Sequence, residues 1–465
     1  MSVISSRQSA SCTRPDTMIF QRRFLPAIFA IAVPMVLSNV TIPLLGLVDT
    51  AVVGHLPDSV YLAGVALGSS IITFLFWIVG FLRMSTTGSV AQALGRDNDR
   101  EAIQVWRHSV LLGLFLSVLL ILLQQPIWQT AMALADPEPA VAAQAQSYFQ
   151  IRIWGAPAAL INLATLGCLL GMRRAKAPMI LLILTNLINI VFDLFFVLGL
   201  GWNVAGVAAA SLLADCCGTM GGLWILARLW RERGILLFEH KTLRKSIEAR
   251  SFRALLGLNL DIFLRTLALQ ICFTFMTFQG ARLGNEILAA NMVLLNFLLL
   301  VSFALDGFAY AIEALAGEAI GASDRQRFDQ LVTTVLLVSF AISLLFCLLF
   351  TWQGNRIIAL LTDIDTVRST AARYLPWLNW LPAIAVWSYI FDGIYIGATE
   401  GRIMRNSMLL CAFGVFFPCW WLSRGWGNHA LWLSLTAFML ARGLSLGWHC
   451  LHHRDAWFTE RKTTC

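Results

Sequence analysis

The chain has 465 residues, of which 58% are hydrophobic and 13% are charged, and its mean hydropathy is +0.72. A soluble protein carries about a quarter charged residues, so the composition excludes an ordinary soluble domain and indicates many membrane spans. The apolar runs lack the alternation of barrel strands. Because only helical bundles and closed barrels satisfy the backbone in lipid, we expect an all-α membrane protein.

Twelve apolar runs follow one another along the chain, and we number them spans 1 to 12 in order. We expect a cytoplasmic tail, an N-lobe of spans 1 to 6, a cytoplasmic linker, a C-lobe of spans 7 to 12 and a second cytoplasmic tail. These five regions cover residues 1–23, 24–230, 231–250, 251–450 and 451–465. The predicted spans are 24–53, 60–94, 109–129, 141–171, 178–200, 204–229, 252–280, 286–320, 329–351, 367–398, 404–422 and 428–450.

The positive charge follows the connections between spans. Of the 34 lysines and arginines, 25 fall in the tails and every second connection, five in the other connections and four within spans. By the positive-inside rule this asymmetry predicts that both termini are cytoplasmic. It also accounts for the net charge of +8 without nucleic acid as a partner. Most of the ten cysteines lie in apolar runs, so we expect them to be unpaired.

An internal repeat relates the two predicted lobes at an offset of 226 residues. The segments AQALG (91–95) and GEAIG (317–321) correspond, as do GCLLG (167–171) and GIYIG (393–397). The offset pairs span 2 with span 8 and span 4 with span 10, so two six-helix bundles with the same orientation are related by a pseudo-twofold axis along the membrane normal. Parallel repeats of this kind occur in secondary transporters. The glycine pairs themselves favour close helix packing.

Carboxylates inside apolar spans are costly and are therefore functional candidates. Asn186, Asn189 and Asp193 are three and four residues apart in span 5, so they share one helical face. Burial favours the neutral form of a carboxylic acid, and a second carboxylate nearby favours it further. We expect Asp49 of span 1 to be that second carboxylate. The alternative roles are a structural hydrogen bond for Asp193 and a helix cap for Asp49.

The C-lobe has its own ionisable residues. Asp261 and Arg265 are four apart, which is compatible with either an intrahelical salt bridge or a functional pair. Asp306 and Glu313 are seven apart and lie on similar faces of span 8, where they could line a cavity. Asp392 has no acidic counterpart in the N-lobe and makes the lobes chemically unequal. We expect Glu318 to be structural.

Several motifs of soluble chemistry are absent from the sequence. It contains no GK[ST], HExxH or G-x-S-x-G segment, which disfavours an ATP-driven pump and a hydrolase. The segment HCLHH (449–453) has no second cluster to complete a metal site. We therefore expect no enzymatic activity, no metal and no cofactor.

Several segments together resemble the MATE (multidrug and toxic compound extrusion) transporters, in particular the DinF branch. The resemblance runs from about residue 24 to 451. It rests on PMVLSNVTIPLLGLVDTAVVGHL, FLRMSTTGSVAQALG, ALDGFAYAIEALAGEAIGA, FDGIYIGAT with MRNSM, and GNHALWLSLT.

The resemblance implies two six-helix bundles around a central cavity that opens alternately to each side. It implies export of cationic or amphipathic small molecules across the bacterial inner membrane, in exchange for protons or sodium ions, by a protein that we expect to be a monomer. In this family pattern, the residues for proton coupling and substrate release correspond to Asp49, Asn189, Asp193, Ser211 and Pro34, where the first helix bends.

The C-lobe acids of sodium-coupled members correspond to Asp261 and Asp392. Arg265 should weaken a sodium site by repulsion, so protons are the favoured ion and sodium stays open. The C-lobe candidates are Asp261, Arg265, Asp306, Glu313 and Asp392.

Three other functions stay open on the sequence. A flippase for a lipid-linked precursor should line its cavity with several basic residues, whereas the spans hold four arginines against at least six acids. This balance disfavours an anionic cargo. An intramembrane enzyme could use carboxylates as acid and base. A channel fits the unequal lobes less well than alternating access does.

Overall fold

The structure is a computed structural model that describes residues 21–54, 56, 58–237 and 249–459. Within these residues every regular element is helical, and twelve helical segments are long and apolar enough to cross a membrane. The twelve predicted spans are thus confirmed. Residues 238–248 of the predicted linker and most of both predicted tails lie outside the described residues.

The spans of the N-lobe include two that consist of paired helices. Span 1 is Leu25–Gly54, span 2 is Ser59–Ile78 and Phe81–Gly95, span 3 is Asp99–Leu122, span 4 is Pro139–Arg152 and Ala156–Gly171, span 5 is Lys176–Asp193 followed by a π-helical turn at Leu194–Gly199, and span 6 is Asn203–Glu232.

The spans of the C-lobe are mostly continuous. Span 7 is Ala249–Leu283, span 8 is Asn285–Gly321, span 9 is Arg325–Leu361, span 10 is Asp365–Ala398, span 11 is Gly401–Cys411 and Phe417–Ser423 around a π-helical turn at Ala412–Phe416, and span 12 is Asn428–His453.

The predicted end of span 3 was wrong. The sequence predicted one helix to residue 129, but span 3 ends at Leu122 and a separate helix follows at Gln124–Ala135. Pro126 is the reason, because its ring clashes with the carbonyl four residues earlier, which belongs to Leu122, and it has no N–H to continue the ladder.

The repeat is visible in the backbone contacts inside each lobe. A Cβ on Gly167 would lie 2.5 Å from the Arg83 carbonyl oxygen, and the equivalent Cβ on Gly393 would lie 2.6 Å from the Ala309 oxygen. Gly171 and Gly397 approach spans 2 and 8 in the same way. Each pair differs by 226 residues. Spans 2 and 4 therefore pack as spans 8 and 10 do, and the predicted packing role of these glycines is confirmed.

The repeat also extends to helix ends. Asp97 and Ser323 have φ of 54° and 55°, and Arg173 and Thr399 both have φ of 59°. These residues follow the equivalent spans at the same offset. The left-handed residues let the chain turn immediately into the next span, so both lobes enter spans 3 and 9, and spans 5 and 11, by the same route.

The two lobes meet closely at one end of the bundle, which carries Arg96, Arg173 and Arg327 and which we call the arginine-rich end. A Cβ on Gly95 would lie 2.2 Å from the Glu318 carbonyl oxygen, and a Cβ on Gly321 would lie 2.2 Å from the Gln92 oxygen. Gly95 with Gly321, and Gln92 with Glu318, are repeat equivalents. This reciprocal contact means that the pseudo-twofold axis passes between spans 2 and 8.

Ion pairs and hydrogen bonds join the lobes at the same end. Glu318 of span 8 accepts from Arg173 at 2.7 Å and from Arg327 at 3.0 Å. Gln92 of span 2 donates to the Gly397 carbonyl at 2.8 Å. The structural role predicted for Glu318 is confirmed, and this end of the bundle is closed.

A buried amide network ties span 8 to span 12. Asn291 and Asn428 exchange hydrogen bonds of 2.7 and 2.9 Å, and the Trp432 indole donates to Asn291 Oδ1 at 3.0 Å. We expect Asn291→Ala to lower the free energy of unfolding by about 2 kcal/mol, because Asn428 and Trp432 lose buried partners. Unfolding in mixed micelles titrated with dodecyl sulfate measures the change. The exposed Asn285→Ala is the control, and equal stability of the two variants would contradict the prediction.

Candidate functional site

The N-lobe places two carboxylates side by side. Asp49 lies five residues before the end of span 1, and Asp193 is the last α-helical residue of span 5 before its π-helical turn. Their side chains lie within hydrogen-bonding range of each other. Two carboxylates are compatible at this distance when one carries a proton. The structure thus brings together the two acids that the sequence selected.

The second oxygen of this arrangement needs a donor. Asp193 is fully buried, and its Oδ1 has no hydrogen-bond partner among the described residues other than the neighbouring Asp49 carboxyl. A proton held between the two acids would satisfy this buried oxygen. The site is therefore built to hold a proton that can be gained and lost.

Asn189 and Ser211 complete the pair on its other side. In the amide orientation that satisfies both neighbours, Asn189 Nδ2 donates to Asp193 Oδ2 at 2.8 Å. Its Oδ1 then accepts from the Ser211 hydroxyl at 3.0 Å. Span 6 thereby fixes the amide that orients Asp193. Asn186 lies one turn away and donates to Thr41 of span 1 at 3.0 Å, so the polar face of span 5 packs along span 1.

Sequence reasoning missed two further residues of this cluster, both on span 4. Tyr148 hydrogen bonds to Arg152 and to Ser211, and Arg152 is within electrostatic range of Asp49. Arg152 Nη1 also donates to Asp215 Oδ2 of span 6 at 2.8 Å. The spacing of Tyr148 and Arg152 on one helical face, with an arginine inside a span, was the signal that could have found them.

Span 1 runs as one helix through Pro34. Pro34 is buried, and its carbonyl accepts from the Ser38 hydroxyl at 2.9 Å. Pro34 lies about four turns before Asp49 and does not contact the carboxylate pair. Bending at Pro34 stays a prediction.

The C-lobe contains a separate cavity of about 460 Å³. Asp306 and Glu313 both line it, as their spacing on span 8 predicted. Glu313 is buried and pairs with Arg83 of the N-lobe at 3.5 Å. Asp306 forms no ion pair among the described residues, although Arg83 lies within electrostatic range.

The intrahelical salt bridge between Asp261 and Arg265 is not present. Asp261 instead accepts from Arg405 of span 11 at 2.5 Å. Arg265 pairs with Asp392 of span 10, and Arg442 Nη2 of span 12 also donates to Asp392, at 2.6 Å. Burial is the physical reason, because Asp261 and Arg265 face different neighbouring spans and each finds a partner there that shields its charge.

Comparison with known proteins follows from this architecture. The MatE family model matches residues 34–195 and 262–422, one block in each lobe. The chain belongs to the MatE family. It is 44% identical over 435 residues to DNA damage-inducible protein F of Escherichia coli (strain K12), covering 93% of this chain and 94% of that protein. It is also 24% identical to Protein DETOXIFICATION 44, chloroplastic, of Arabidopsis thaliana, over 92% of this chain and 83% of the relative.

Solved structures agree with the fold. The outward-facing conformation of a multidrug resistance MATE family transporter superposes with a TM-score of 0.81 at 21% identity, covering 93% of this chain and 96% of that one. The protein is therefore a multi-pass MATE family transporter of small molecules, and not an enzyme. Its candidate sites are the N-lobe carboxylate pair and the C-lobe cavity.

Proposed function

We propose that this MATE transporter is a secondary active antiporter that exports cationic or amphipathic compounds in exchange for protons. The observation that carries the proposal is the Asp49–Asp193 pair, whose close approach is compatible with one shared proton. When the pair loses that proton, it gains a negative charge that attracts a cation. Proton and cation then compete for the same carboxylates, which is the requirement for exchange.

Alternating access supplies the second half of the proposal. The lobes are closed at the arginine-rich end, where Gly95 and Gly321 approach opposing carbonyls. The positive-inside rule makes this end cytoplasmic, with both termini on that side of the inner membrane. In this orientation the carboxylate pair lies toward the outer half of the N-lobe. A proton arriving from outside would neutralise the pair and release a bound cation in the outward-open state.

The C-lobe acids support protons over sodium. Asp261 and Asp392, which the family pattern offers as sodium ligands, are both occupied by arginines. A sodium ion at Asp392 would have to compete with the guanidiniums of Arg265 and Arg442. Charge repulsion disfavours that site.

Efflux in proteoliposomes tests the coupling ion. We expect a proton gradient alone to drive efflux of a fluorescent cationic dye, and a sodium gradient alone to leave the initial rate within about twofold of the rate without a gradient, since the arginines exclude the cation. Liposomes without protein correct for passive leakage of the dye. Efflux driven by sodium at constant pH would contradict proton coupling.

A further inference from the structure

Three of the four intramembrane arginines meet at the C-lobe cavity. Arg83 comes from span 2 of the N-lobe, Arg265 from span 7 and Arg442 from span 12. Each arrives from a different span, so no sequence spacing brings them together. The remaining intramembrane arginine, Arg152, belongs to the N-lobe cluster. The cavity therefore has a basic character that the overall count of acids conceals.

The Asp392 carboxylate neutralises only part of this charge. Arg265 and Arg442 share Asp392 Oδ2, so two guanidiniums face one carboxylate. The Nε atoms of Arg265 and Arg442 are buried and have no hydrogen-bond partner among the described residues. Arg442 Nη1 faces the Met439 sulfur at 3.3 Å, and a thioether is a weak acceptor. Donors remain here for one more acceptor.

Arg83 adds a third guanidinium from the opposite lobe. Its distance of 3.5 Å from Glu313 is long for a charge-assisted hydrogen bond, and its Nη1 is buried without a hydrogen-bond partner in the described part of the chain. The same guanidinium lies 4.4 Å from the centre of the Tyr310 ring. Arg83 is therefore held in place while keeping hydrogen-bonding capacity.

The rest of the cavity wall is largely apolar. Besides the charged groups it is lined by aromatic and aliphatic side chains of spans 2, 7 and 8, among them Trp77, Leu269, Phe273, Leu295 and Leu299. A cavity of about 460 Å³ has the size of ordinary small-ligand sites. An apolar body fits this wall while a charged group reaches the arginines.

We propose that the C-lobe cavity binds an amphipathic organic anion that carries a single carboxylate or sulfonate. The anionic group accepts hydrogen bonds from Arg265 and Arg442, with Arg83 on the opposite side, and the apolar body lies against spans 7 and 8. Three guanidiniums against three acids in the cavity leave room for one anionic group and exclude a polyanion. This reverses the cation preference expected from the sequence, and it requires no ion gradient.

A matched pair of ligands tests the charge preference. Equilibrium dialysis would compare naphthalene-2-sulfonate with N-methylquinolinium, which have rings of equal size and opposite charge, on the full chain in phosphatidylcholine nanodiscs. We expect the sulfonate to bind, and Arg265→Gln and Arg442→Gln each to weaken it at least about tenfold, the loss typical of a charge-assisted hydrogen bond. Arg454→Gln removes an arginine that pairs with Asp329 away from the cavity and should leave the affinity unchanged.

Substitution of Asp392 gives opposite signs for the two kinds of site. Asp392→Asn frees two guanidiniums, so we expect tighter binding of the sulfonate. If Asp392 were a cation ligand, the same variant would weaken binding of the quinolinium and leave the sulfonate unaffected. The proposal is overturned by that result, by a wild type that does not bind the sulfonate, or by arginine variants that bind it as the wild type does.

Labelling of the wild type keeps the test independent of variants that fail to fold. An azido derivative of the sulfonate should label peptides containing Leu269–Phe273 or Leu295–Leu299, and an excess of naphthalene-2-sulfonate should prevent the labelling. Labelling confined to other peptides would overturn the proposal. Competition from phosphatidylglycerol added to the nanodiscs would assign the anion to a lipid headgroup, and its absence would assign it to a free solute.

This proposal can fail separately from proton-coupled export. Asp49→Asn should bind the sulfonate with wild-type affinity, because Asp49 belongs to the N-lobe cluster and does not line the cavity. Loss of proton-driven efflux with retained sulfonate binding concerns the N-lobe pair alone. Retained efflux with no sulfonate binding concerns only the C-lobe cavity.

Discussion

Asp49→Asn is expected to reduce proton-driven efflux of a cationic dye about a hundredfold, the effect of losing a strong charge-assisted interaction. Asparagine has nearly the same shape but cannot be protonated and carries no charge. The pair then loses both the shared proton with Asp193 and the negative charge that attracts the cation. Initial rates in proteoliposomes, measured over a series of external pH values, should be low and flat for the variant and pH-dependent for the wild type.

Asp261→Asn is the matched control for this experiment. It removes the same charge from another buried helical position, whose partner Arg405 also contacts Asn406. We expect this variant to keep most of its proton-driven efflux. If Asp261→Asn stalls while Asp49→Asn retains a pH-dependent rate, coupling resides in the C-lobe and the proposed role of the N-lobe pair is wrong.

The spans and the repeat were predictable because both leave a one-dimensional trace in the sequence. Apolar runs give the spans directly. The offset of 226 residues also predicted which glycines approach which carbonyls, since Gly167 and Gly393 occupy the same position in their lobes. Close packing that requires an absent side chain is one of the few tertiary contacts that a sequence records residue by residue.

Partners across spans were not predictable in the same way. The spacing of Asp261 and Arg265 satisfied the rule for an intrahelical pair, yet each residue pairs with a span far along the chain. Asp49 and Asp193 were matched from rarity and family resemblance, and no periodicity links spans 1 and 5. The convergence of three arginines on one cavity depends on the relative rotation of spans 2, 7 and 12, which the sequence alone does not specify.

Gly95→Ala is expected to open the arginine-rich end. Its Cβ would lie 2.2 Å from the Glu318 carbonyl oxygen, and because this contact is backbone, spans 2 and 8 must separate by about 1 Å to reach ordinary van der Waals distance. The closed arrangement therefore becomes unfavourable, while an arrangement open at this end tolerates the methyl group. Hydrogen exchange of amides in residues 88–98 and 313–323 should accelerate at least about tenfold, as opening by more than 1.4 kcal/mol implies.

Gly257→Ala provides the control, because a Cβ at that helical position meets no atom within 4 Å. It should leave exchange at the arginine-rich end and dye efflux unchanged. In Gly95→Ala, efflux should fall while the melting temperature stays within a few degrees of the wild type, since the methyl group disfavours one state of the transporter and leaves each lobe folded. Faster exchange throughout the chain would indicate general unfolding, and unchanged exchange with normal efflux would mean that the lobes do not need this close contact to close. Either result would contradict a closing role for the reciprocal Gly95–Gly321 contact.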